Sequence, residues 1–231
     1  MKTLKITDSI ISLSKNEKLV KISIDSNKPK CERNNFICCL DVSGSMDDTS
    51  TNDQNDLEAS KFSRWDLVKH SVSTIVHSLK ETDKIMLIVF SNNAQIVLPF
   101  EKMNENGKKK ALEALENIEI NGGTNLWDGL KVTIEEVIKQ ETLSKDENFF
   151  SLILTDGEPN QNPPRGILIE FIEKLKESPI KSTISTFGYG YSLESTLLEE
   201  ISKYGYGNFA HIPDHVKKKK LFFHQNLFFI F

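Results

Sequence analysis

Two short acidic motifs each follow an unbroken apolar run. Asp41 opens Asp41-Val42-Ser43-Gly44-Ser45 directly after Phe36-Ile37-Cys38-Cys39-Leu40, and Asp156 lies in Thr155-Asp156-Gly157 after the run from Phe149 to Leu154. Between them in sequence comes a glycine-rich turn, Asn121-Gly122-Gly123-Thr124-Asn125. Brought to one rim, Asp41, Ser43, Ser45, Thr124 and Asp156 would offer two carboxylates and three hydroxyls. All are hard oxygen donors, the kind that hard cations select. Mg²⁺ keeps part of its water shell and so suits an incomplete protein cage, and Mn²⁺ shares its preference for oxygen. Two negative charges leave a dication neutralised but still electrophilic. An open position on it would favour an anionic oxygen from outside.

The elements that must position these residues are legible as alternating apolar runs and helical patterns. Phe36 to Leu40, Ile85 to Phe90 and Phe149 to Leu154 are continuous apolar runs, as expected of strands buried on both faces. Gln95 to Leu98 is a weaker run that Pro99 is expected to end, which suits an edge strand. Thr183 to Phe187 and Phe209 to Ile212 complete the set, and an extra edge strand is expected over Leu19 to Ile24. Helical spacing relates Trp65, Val68, Val72, Ile75, Val76 and Leu79, with Ser63 as N-cap. Further helices carry Ala111 to Ile118, Leu126 to Ile138, Ile167 to Leu175 and Leu197 to Ile201, with Pro163-Pro164 expected in the first turn of the fourth. Strands alternating with helices imply an α/β domain with a doubly wound, mostly parallel sheet, one antiparallel edge strand and helices on both faces. In such sheets ligands bind beyond the carboxyl ends of the strands, where Asp41 and Asp156 stand.

At this point the sequence resembles the von Willebrand factor type A family and its metal-ion-dependent adhesion site. The matching residues are Asp41-Val42-Ser43-Gly44-Ser45-Met46, Gly122-Gly123-Thr124-Asn125 and Leu154-Thr155-Asp156-Gly157, supported by Asp83-Lys84, Val89-Phe90-Ser91 and Thr186-Phe187-Gly188-Tyr189-Gly190. The style is closest to the intracellular and inter-alpha-inhibitor-like branches. The resemblance implies a Rossmann-like fold over residues 34–213; the residues outside it are expected to form an extension with an edge strand at 1–33 and an atypical, poorly packed tail at 214–231. It implies direct metal contacts from Ser43, Ser45 and Thr124, with Asp41 and Asp156 acting directly or through water. The implied partner is a protein presenting an acidic residue, and the implied protein is a binding module, not an enzyme.

Other readings compete. Asp41 and Asp156 could cap helices or form loop turns without any metal, Ser43 and Ser45 could cap or form an anion-binding turn, and Thr124 could N-cap the helix that follows it, with or without binding metal. A phosphatase resembling the haloacid dehalogenase family would also use an acid after the first strand, but it needs a second acid where this chain has Ser43 and a lysine that Phe149 to Thr155 lacks. A structural domain with a non-functional metal site is the third reading. Trp65 and Trp127 fit helical core positions, and the five histidines show no ligand spacing. The acidic stretch from Asp47 to Ser63 reads as a solvated loop.

The 231 residues allow one substantial domain, with 27% charged and 38% hydrophobic residues, ordinary for a globular protein. A net charge of −4 gives no reason to expect nucleic acid or an anionic membrane as a main partner. Cys31, Cys38 and Cys39 show neither disulfide nor zinc spacing. With no signal-peptide pattern and no apolar window of membrane-spanning length, the expectation is a cytoplasmic protein. Lys217 to Lys220 followed by an aromatic-rich end could be read as a basic-plus-aromatic membrane contact, but no capped helix is evident and a truncated or altered C-terminus is the expected reason.

Overall fold

The computed structural model describes residues 4–12, 18–26, 33–48, 62–143, 147–177, 182–191 and 193–212, with the backbone alone for 4–12, 18–26 and 142–143. The tail at 214–231 and most of the acidic loop lie outside these residues. Two units are present, residues 1–32 and 33–231. In the first, β1 (Leu4–Ser12) pairs antiparallel with β2 (Lys18–Ser26) as a two-stranded sheet. The strand expected over Leu19 to Ile24 lies within β2, and its partner β1 was not anticipated.

The second unit is built on a six-stranded sheet. Its strands are β3 (Asn34–Asp41), β4 (Lys84–Phe90), β5 (Ala94–Lys102), β6 (Asn148–Thr155), β7 (Thr183–Tyr189) and β8 (Tyr206–Ile212), in the order β5-β4-β3-β6-β7-β8. All neighbours are parallel except the β4–β5 pair at one edge. The helices are α1 (Arg64–Ser78), α2 (Glu105–Glu116), α3 (Leu126–Leu143), α4 (Ile167–Glu177) and α5 (Ser195–Tyr204).

Alternation along the strands divides the core into two layers, because successive side chains of a strand point to opposite faces. Phe36, Cys38 and Leu40 of β3 pack with Val68 and Val72 of α1 and Leu115 of α2. Ile37 and Cys39 point the other way, to Leu130 and Ile134 of α3, Phe171 of α4 and Ile201 of α5. Cys38 and Cys39 are free thiols fully enclosed here, and burial pushes both up to about 12, so they pack as small neutral core groups. Trp65 joins the first layer and Trp127 packs against the second, as their helical spacing implies.

Two local expectations need correction. Pro99 does not end β5, which runs on to Lys102. The proline falls between Leu98, paired with Leu87, and Glu101, paired with Ile85, where the ladder shifts register, and an edge strand tolerates a missing donor at such an irregularity. Pro163 and Pro164 do not open α4. They form a turn closed by Gly166 N–H on the Pro163 carbonyl at 2.9 Å, and Gly166 takes a positive φ of 84° before the helix begins at Ile167.

Candidate metal centre

Parallel pairing sets the rim. Leu40 of β3 lies opposite Leu154 of β6, so the chain emerges from both strands at the same level, with Asp41 and Thr155 side by side. The Thr155 hydroxyl donates to Asp41 Oδ2, and Ser43 N–H donates to Asp41 Oδ1 at 2.9 Å. A short 3₁₀ turn over Gly44–Asp47 folds the following loop back. That turn leaves Ser43 Oγ 3.2 Å from Ser45 Oγ, and Ser45 Oγ donates to Asp156 Oδ1 at 3.0 Å. Asp41, Ser43, Ser45 and Asp156 thus form one connected set of oxygens.

Thr124 arrives on the glycine-rich turn before α3. Gly44 N–H donates to the Gly122 carbonyl at 3.1 Å and Asn121 N–H to the Val42 carbonyl at 2.9 Å, tying this turn to the loop after β3. Gly122 is needed there in two ways: its φ is 83°, and a Cβ would lie 2.9 Å from the Asn92 amide. On the other side, Asn160 clamps Thr124 by accepting its N–H at 2.9 Å and donating its own N–H to the Thr124 carbonyl at 3.1 Å. A Cβ on Gly157 would stand 3.5 Å from Thr124 Oγ1 and 3.9 Å from Asp41 Oδ2, so the third hydroxyl lies on the same rim beside Asp41. All five residues expected at the rim are therefore gathered there.

The helix cap is a separate residue. Asn125 Oδ1 accepts Asp128 N–H at 3.1 Å, so Asn125 caps α3 and the Thr124 hydroxyl is not the cap.

Electrostatically the set is unbalanced. Asp41 is fully buried, and loss of solvent raises its carboxyl from 3.8 to about 6, with hydrogen bonds from Ser43 and Thr155 opposing and the charge of Asp156 adding to the rise. Burial also raises Asp156, but Arg64 and Ser45 oppose that shift. Arg64 Nη1 donates to Asp156 Oδ2 at 2.9 Å. A buried carboxylate lacking a formal counter-charge beside a second one is the environment a divalent cation relieves. Among the described residues no group of three or more His, Cys, Asp or Glu side chains could hold a metal by itself, so such a centre would depend on its hydroxyls. The donor set fits an oxygen-seeking ion.

Arg64 and Asn160 escaped sequence reasoning, and Thr155 was noted only as part of the motif around Asp156, without its role on Asp41. Thr155 adjoins Asp156 and could have been found from the strand pairing. Asn160 and Arg64 lie at the ends of polar stretches where no spacing marks them. Asp83, part of a supporting stretch, is far from the rim: it precedes β4, and its carboxylate accepts the N–H groups of Asn34 and Lys80.

A family model described as the von Willebrand factor type A domain matches residues 36–159, more than half of the chain. The chain is 26% identical over 200 residues to the uncharacterized protein YfbK of Escherichia coli (strain K12), covering 84% of this chain and 31% of that protein. It is 27% identical over 124 residues to the probable E3 ubiquitin-protein ligase WAVH2 of Arabidopsis thaliana, covering 52% of this chain and 16% of that one. This chain thus spans less than a third of either relative. Among solved structures it is similar to a von Willebrand factor type A protein from Catenulispora acidiphila, with a TM-score of 0.65, 17% identity and coverage of 88% of this chain and 42% of that one. It is also similar to proximal thread matrix protein 1 from the mussel byssus, solved with a zinc-occupied MIDAS motif, with a TM-score of 0.60, 18% identity and coverage of 84% and 46%. Those likenesses establish a shared fold, and the sequence match with the rim geometry establishes kinship: the chain belongs to the von Willebrand factor type A domain family.

Proposed function

We propose that the domain is a protein-binding module dependent on a divalent metal, Mg²⁺ or Mn²⁺, held by Asp41, Ser43, Ser45, Thr124 and Asp156. The observation that carries this reading is the meeting of three hydroxyl-bearing residues and two buried carboxylates at one rim, with burial, and the charge of Asp156 beside it, raising the Asp41 carboxyl to about 6. The mussel protein was solved with a zinc-occupied MIDAS motif, which supports reading a metal into a domain of this fold. The bound ion would supply a Lewis-acidic position for an anionic oxygen, best met by a carboxylate on the partner. Ser43, just before the 3₁₀ turn, and Ser45, within it, would supply hydroxyls to the ion, Thr124 would be positioned by its Asn160 clamp, and Thr155 would keep Asp41 in place.

Von Willebrand factor type A domains are generally interaction modules, and this chain is read as one, without catalysis of its own. The E3 ligase naming of WAVH2 belongs to a protein of which the shared stretch is 16%. With a net charge of −4 the favoured partner is protein, not nucleic acid or membrane, and the proposed setting is the cytoplasm. No helix among the described residues is long and apolar enough to cross a membrane. The test is affinity capture with the full chain in Mg²⁺ and in chelator, using wild type and Thr124→Ala, with captured proteins identified by mass spectrometry. Partners retained only by wild type in Mg²⁺ support the reading. Partners indifferent to both changes would place recognition on another face.

A further inference from the structure

Arg64 is held by several contacts at once. It is the first residue of α1, directly after a capping box in which Ser63 and Asp66 satisfy each other's backbone N–H groups. Its own N–H donates to the Asp48 carbonyl at 3.1 Å. The side chain is 12% exposed and turns inward against the buried Asp156 carboxylate, with the Ser45 carbonyl at 3.5 Å and the exposed Asp48 carboxylate at 3.6 Å from the same Nη1. Its guanidinium lies against Gly190, where a Cβ would meet Nε, Cζ and Nη2 at 2.8–3.1 Å, and Gly190 has a φ of 81°. A flat, permanent cation is thus set into the wall of the centre.

The two oxygens of Asp156 are shared out. Oδ1 accepts the Ser45 hydroxyl and faces the donor set, while Oδ2 accepts Arg64. Counting the groups turned into the centre, Asp41 and Asp156 as −1 each and Arg64 as +1, the sum is −1 where the two carboxylates alone would give −2; Asp48, the other carboxylate on Arg64 Nη1, is exposed and screened by solvent. Resting on the metal-centre reading above, we propose that Arg64 is a built-in cation that sets metal affinity, competing with the divalent ion for the charge of Asp156 and leaving the loaded centre with a net positive charge that draws an anionic ligand. Such a residue would make occupancy responsive to metal concentration and would sharpen discrimination in favour of acidic partners.

A purely structural Arg64, one that only aims Asp156, has the opposite consequence: losing it would weaken metal binding. The sign decides. Mn²⁺ binding to the full chain, followed by the electron paramagnetic resonance signal of the free ion at fixed ionic strength, should be compared for wild type, Arg64→Gln and Arg64→Lys. Removing one like charge at close range predicts roughly tenfold tighter binding for Arg64→Gln. It also predicts a lower melting temperature for that variant in chelator, a gap that narrows as Mn²⁺ saturates. Lysine keeps the charge on a shorter, single-pronged group, so Arg64→Lys falls between the two. Arg64→Gln binding no tighter than wild type overturns the proposal. Should that variant not fold, Arg64→Met, which removes the charge and keeps an unbranched side chain, decides, and binding no tighter than wild type overturns it equally. If neither wild type nor any variant binds Mn²⁺, the metal reading itself has failed.

Discussion

Asp41 is the residue on which the chemistry turns, because its carboxyl is buried with hydroxyl and N–H partners but no cation of its own. In metal-free protein its folded pKa of about 6 lies above the ordinary 3.8, so between these values the folded chain holds a proton that the unfolded chain has lost. The resulting stability is present below about pH 4 and is lost as pH rises through about 6. The raised Asp156 acts in the same sense, while the lowered Asp66 and Glu147 act oppositely, gaining stability as pH rises. Comparison with Asp41→Asn isolates the one group. In chelator, wild type should lose stability relative to Asp41→Asn between pH 4 and 7, measured by denaturant melts; parallel profiles would show that Asp41 keeps an ordinary pKa. At this scale the sequence was informative where chemistry and context coincide: an acid directly after a buried apolar run needs an explanation that a surface acid does not. Arg64 gave no such signal, since an arginine after a serine at the end of a polar loop reads as solvated, and only the fold turns it inward to Asp156.

The helix α3 shows how an element serves the centre. Its N-cap is Asn125 and the adjacent Thr124 is one of the five rim oxygens, so neighbouring residues divide two duties that the sequence left combined. Asn125→Ala should cost about 1 kcal/mol of stability through the lost cap. Thr124→Ala should leave metal-free stability nearly unchanged and lower metal affinity, and the reverse pattern in melts and metal titrations would make Thr124 the structural residue. Further along α3, Gly129 lets the helix approach the sheet: a Cβ would lie 2.8 Å from the Phe90 ring and 3.1 Å from Cys39 Sγ. Gly129→Val should therefore destabilise by about 2 kcal/mol through overpacking, readable as a shift in denaturant midpoint without a change in slope. The buried strands and amphipathic helices were legible because burial on two faces, or on one stripe, writes itself into composition. The continuation of β5 through Pro99 was not, because a local rule about donors yields to a shift in pairing register that only the partner strand defines. The same holds for β1, whose existence depends on pairing with β2.

Across the whole second unit, the order β5-β4-β3-β6-β7-β8 places the two central strands, β3 and β6, so that the motifs following them meet, and the cross-loop bonds from Gly44, Asn121 and Asn160 bring the α3 turn to the same place. Residues as far apart in sequence as Ser45 and Asp156 become hydrogen-bonded neighbours through topology alone. A ligand that binds only this assembled rim must stabilise the fold by mass action, by about 2.7 kcal/mol at a hundredfold excess over its dissociation constant. Metal-dependent stabilisation therefore tests the assembled centre without knowledge of any partner. The decisive measurement is the thermal or denaturant melt of wild type and Asp41→Ala in chelator and in saturating Mg²⁺. A metal centre at this rim predicts a rise in wild-type stability with Mg²⁺ that is abolished in Asp41→Ala. Equal responses of the two proteins, or no response in wild type, would contradict it.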